Sequence, residues 1–159
     1  MSLLFTTEDQ IKSCLPVTTS FKLPAATPFL QKVQSKEIKE ALGFEQLKAL
    51  TDAFTTNALS PEQEALLDAV RVPLASFGIA AYLPHSNVQL TGAGARTAGT
   101  EQLKPASPAA LAGLADALTD AGHAGIEKDV GTILAGLNQE QLESIVAAAV
   151  RLRHLRSAP

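Results

Sequence analysis

The stretch from Ser60 to Pro84 constrains the fold of this chain more than any other. Ser60-Pro61-Glu62-Gln63 combines an N-cap serine, a proline at the first helical position, an acid in the first turn and a capping-box glutamine. The spacing that follows predicts a helix from Pro61 to about Leu83, with Leu66, Val70, Leu74, Phe77 and Ala81 turned inward and Pro84 as its stop. From Leu74 to Leu83 nearly every position is apolar. A helix that is apolar all round must be surrounded by protein, so other elements have to pack around this half. The run holds ten residues, whereas a membrane span needs about 20, and no membrane partner is expected. Pro73 lacks an N–H and its ring crowds the preceding turn, which predicts a kink.

Helix punctuation is equally legible elsewhere. Thr7 with Gln10 reads as a capping box for a short helix that Pro16 ends. Residues 16–27 read as an extended connection. Thr27-Pro28 supplies a cap and a first-turn proline for a helix to about Leu42, stopped by Gly43. Phe44, Leu47, Leu50 and Phe54 give one apolar face to the next helix, with Asn57 near its end. Ser107-Pro108 opens another, with Leu111, Leu114, Ala115 and Leu118 on one face and Gly122 beyond its end. Ile126, Val130, Ile133 and Leu134 mark a further helix ended by Gly136, and Asn138 can cap a last one carrying Leu142, Ile145, Val146, Ala149 and Leu152. The expected fold is therefore all-α, a bundle of about six helices.

Residues 85–105 interrupt that pattern. Val88 and Leu90 alternate with polar residues, and Thr91-Gly92-Ala93-Gly94-Ala95-Arg96 follows. The segment reads as an irregular loop or short hairpin, and a long connection in a compact domain is usually functional. Val88, Leu90, Gly92, Gly94 and Arg96 are its candidate interaction residues.

Composition excludes several function classes. Formal net charge over the 159 residues is -3, which gives no overall reason to bind nucleic acid. Charge is unevenly distributed: residues 106–150 carry six acids and one base, while 151–159 carry Arg151, Arg153 and Arg156 and no acid. These arginines are candidates for contact with DNA phosphates or an acidic partner, although cations also suit a helix C-terminus. The one cysteine, Cys14, allows no intrachain disulfide. Met1–Phe5 lacks the basic start of a signal peptide, so a cytosol-like compartment is expected.

No catalytic or cofactor constellation emerges. His85, His123 and His154 are 38 and 31 residues apart, whereas zinc motifs place ligands a few residues apart. No Gly-x-Ser-x-Gly elbow occurs. Cys14 sits beside Leu15 on a short amphipathic helix and reads as a small hydrophobe. Asp116 and Asp120 lie one helical turn apart but share acid–base work only in a cleft that separates their pKa values. Gly92-Ala93-Gly94 lacks the third glycine of a dinucleotide loop, since position 97 is Thr. The reading is a binding protein, not an enzyme, with no cofactor and no metal.

Four stretches carry a resemblance: LLFTTEDQIKSCLPV, TSFKLPAATPFLQKVQSKEIKEALG, LSPEQEALLDAVRVPLASFGIAAYLP and NVQLTGAGAR. In this order and spacing, residues 1–105 resemble a family of neck proteins from tailed phages and prophages of Bacteroidota, itself similar to helical head–tail connector (adaptor) proteins. Residues 106–159 contain no aromatic side chain, where the family pattern is richer in them. The resemblance implies a connector-like helical domain over 1–105, with 106–159 as Ala/Leu-rich C-terminal helices. It implies a virion structural subunit that forms a ring between portal and tail. Its partners would be copies of itself, the portal protein and a tail or second neck protein, with non-specific DNA contact in the channel. It would reside in the virion neck, and in the host cytoplasm during assembly. The alternative is a small helical regulatory or adaptor protein that binds one partner through its C-terminal helices.

Overall fold

Caps at Thr7, Ser60 and Ser107 start helices in the positions the sequence predicts. The computed structural model describes residues 2–15, 22–86 and 107–136 and the backbone of 88–91 and 94–97, and among these residues five continuous helices are present. Helix α1 is Glu8–Cys14. Helix α2 runs over Leu23–Val33, passes through a π turn at Gln34–Ile38 and finishes at Lys39–Leu42. Helix α3 is Phe44–Thr55. Helix α4 is Pro61–Tyr82, closed by a 3-10 turn at Leu83–His85. Helix α5 is Pro108–Gly125, continues through a π turn at Ile126–Val130 and extends to residue 136. Between α4 and α5 lies a hairpin of β1 (Val88–Thr91) and β2 (Gly94–Thr97). The all-α expectation holds, with this hairpin where a loop or hairpin was expected.

The caps are built as their chemistry demands. At α1 the Gln10 amide N–H donates to the Thr7 hydroxyl and the Gln10 side-chain oxygen accepts from the Thr7 N–H, both at 3.4 Å. At α4 the reciprocal pair between Ser60 and Gln63 measures 3.0 and 3.3 Å. The Ser107 hydroxyl accepts from the Ala110 N–H at 3.2 Å. Gly43 separates α2 from α3 with φ 82° and ψ 159°, a backbone conformation essentially reserved for glycine.

Two boundaries differ from the sequence reading. Thr27 is not a cap: α2 begins one turn earlier, with Pro24 in its first turn, and the Thr27 hydroxyl donates to the Leu23 carbonyl within the helix. Pro28 is therefore internal, and exposed. Gly122 is not beyond a helix end: the two helices expected over 108–136 are one, and Gly122 and Gly125 are buried inside it. The expected helix after Asn138 lies outside the described residues.

Helix α4 is the axis of the core. Pro73 to Ala80 are buried without interruption, as an all-apolar half requires, and the helix continues through Pro73. By length and composition Pro61–His85 could cross a bilayer, but 61% of its apolar window is buried inside the chain. Leu4, Ile11, Leu30, Ile38, Leu47, Leu50, Val70 and Leu74 are almost wholly inaccessible in one cluster. Three expected inward positions are not inside: Phe44 at the open start of α3 is 52% exposed, Leu114 near the start of α5 is 49% exposed, and Ala81 is exposed.

Glycines set how closely the helices approach α4. A Cβ at Gly78 would overlap the Leu30 side chain of α2, and one at Gly122 would lie 2.7 to 2.9 Å from three atoms of the Phe77 ring. Pro73 lies in ordinary contact distance of Gly125. Phe77→Ala should therefore destabilise the protein by about 3–5 kcal/mol. Gly122→Ala should cost about 1–3 kcal/mol by overpacking a ring that cannot swing aside. Gly113, on the same helix with nothing within 4 Å, should show the opposite sign, with Ala gaining up to about 1 kcal/mol from helix propensity. Urea denaturation midpoints of the three variants check this ordering.

Candidate functional site

The candidate interaction residues of the hairpin occupy paired positions. Antiparallel register places Val88 opposite Thr97, Gln89 opposite Arg96, Leu90 opposite Ala95 and Thr91 opposite Gly94. Gly92 and the three arginines Arg151, Arg153 and Arg156 lie outside the described residues. The sheet has two strands, and such a hairpin is marginal without further partners. Its approach from α4 is anchored by rings. His85 stacks on Phe29 of α2 at 5.0 Å between centroids, and Tyr82 meets the same ring edge-on at 5.7 Å. Aromatic pairs in these geometries contribute beyond their buried area.

A second site emerges where α2, α3 and α4 meet the N-terminal segment. Gln34 sits in the π turn of α2 and is 2% exposed. Its side-chain oxygen accepts from the Leu4 N–H at 3.0 Å, and its Nε2 donates to the Ser2 carbonyl at 2.8 Å. One amide thus satisfies a donor and an acceptor of the same short segment, as a neighbouring strand would. Arg71 of α4 adds a third contact, its Nε donating to the Leu4 carbonyl at 3.2 Å. The Arg71 guanidinium also lies 5.4 Å from the centre of the Phe54 ring and 6.0 Å from that of Phe5, within range of cation–π attraction. Its ion pair with Asp68, at 3.6 Å to a largely exposed carboxylate, contributes little. Leu4 and Phe5 are buried at 0% and 3% exposure. The result is a groove in which Gln34 and Arg71 hold the main chain of Ser2 and Leu4 while Leu4 and Phe5 join the hydrophobic core.

Sequence reasoning did not find this groove. A signal was present: Gln34 stands on the stripe of Leu30, Val33, Ile38 and Leu42, where an apolar residue is expected. A polar residue on a buried stripe must find partners, and here the partners come from 30 and 32 residues away in sequence.

The remaining candidate residues stay apart. Among the described residues no three His, Cys, Asp or Glu side chains approach closely enough to hold a metal. The exposed Asp116 and Asp120 lie on α5, and the His123 ring packs edge-on against Phe77 at 4.9 Å. The Cys14 thiol donates to the Gln10 carbonyl at 3.2 Å, and burial pushes its pKa up. That opposes the thiolate a nucleophile needs.

Gln34→Ala strands the buried Leu4 N–H, at about 1–3 kcal/mol for a group left buried and unpaired, which should lower the urea midpoint. Because the folded thiol holds its proton to higher pH than a solvated one, Cys14 should react with iodoacetamide at pH 8 more slowly in the native protein than in urea. Equal rates in the two states would show that burial does not protect it.

No curated protein and no solved structure matches the chain. Residues 38–128 match a family of unknown function, DUF6712. That span runs from the π turn of α2 through α3, α4 and the hairpin to Lys128 in α5. It covers more than half of the 159 residues, and the chain belongs to this family.

Proposed function

We propose that the protein is a virion structural subunit of a tailed phage, a head–tail connector (adaptor) that forms a closed ring between portal and tail. The observation that carries this reading is the hairpin Val88–Thr97. It contains all but the first residue of the NVQLTGAGAR stretch of the neck-protein resemblance, and among the described residues it pairs with no third strand. Its outer edges offer backbone donors and acceptors that a strand of a neighbouring subunit satisfies. Heterologous contacts of this kind close into a ring when the rotation between neighbours permits. The absence of a metal cluster among the described residues is compatible with assembly but does not select it.

The second reading, a regulator or adaptor that binds one partner through its C-terminal helices, is favoured by one feature. Leu114 is 49% exposed on α5, with exposed alanines at 110, 117, 121 and 124 on the same helix.

Limited proteolysis separates the two. In a connector, cleavage within residues 88–100 should be rapid in the isolated protein and suppressed in a ring assembled with the portal. Electron microscopy of that mixture should show annular particles. Equal protection of 88–100 in the free chain would assign the hairpin to the subunit's own fold. Removal of the gene from its phage should leave heads without attached tails, and normal virions would exclude a neck role.

A further inference from the structure

We draw no further inference here: the strongest candidate, the exposed face of α5 formed by Leu114 with Ala110, Ala117, Ala121 and Ala124, is a stripe of small apolar residues, and nothing in the structure shows what covers it.

Discussion

The close approach of α2 and α5 to the two faces of α4 is the constraint on which the rest of the structure depends. Leu30 sits where Gly78 has no side chain, and the Phe77 ring sits where Gly122 has none. Each contact inserts a large residue of one helix into a gap on another, the condition for native packing density. Once α4 is held between these neighbours, its apolar half from Pro73 to Ala80 is removed from water on every side. The ends of α4 are then fixed in space. Its middle carries Arg71 toward the N-terminal segment, and its end carries Tyr82 and His85 to the Phe29 ring. The N-terminal segment and the aromatic cluster are thus both positioned by one buried helix.

The parts of this fold that were legible in the sequence are those decided locally. A Ser or Thr with Gln three residues on builds its cap from atoms within one turn, and Thr7 and Ser60 do so. Gly43 stops α2 because no other residue adopts its backbone angles comfortably. Where tertiary contact decides, the same signals mislead. Gly122 has the look of a helix stop, but its lack of a side chain serves Phe77 and the helix continues through it. Thr27-Pro28 has the look of a start, but Pro24 begins the helix four residues earlier and Pro28 is tolerated on its exposed side. The pairing of the hairpin could be anticipated from alternation at Val88 and Leu90, since strand period is a local property.

The seat of Gln34 is the clearest case of structure hidden from local reading. Gln34 breaks an apolar stripe, and taken alone that weakens the stripe. Its meaning depends on Ser2 and Leu4, which only the folded chain brings to it. The π turn that holds Gln34 adds to the difficulty. Such single-turn insertions are rare and concentrate at functional sites, and no residue pattern in Gln34–Ile38 announces one. Arg71 is similarly ambiguous, because an arginine beside Asp68 on a helix reads first as a solvated ion pair. Its work lies on the other side, against the Leu4 carbonyl and the rings of Phe5 and Phe54.

The span shared with the family, 38–128, contains Gly78, Phe77 and Gly122 and therefore the packing that fixes α4. Arg71 falls within that span, while Gln34 and the segment it grips fall before it. The groove accordingly has one wall in the common core and one wall outside it. This division has an energetic consequence. Contacts such as Phe77 against Gly122 join two helices buried along one shared face, and separating them would expose the core to water. The contacts of Ser2–Phe5 are fewer, but Leu4 at 0% and Phe5 at 3% exposure bind that segment into the same core.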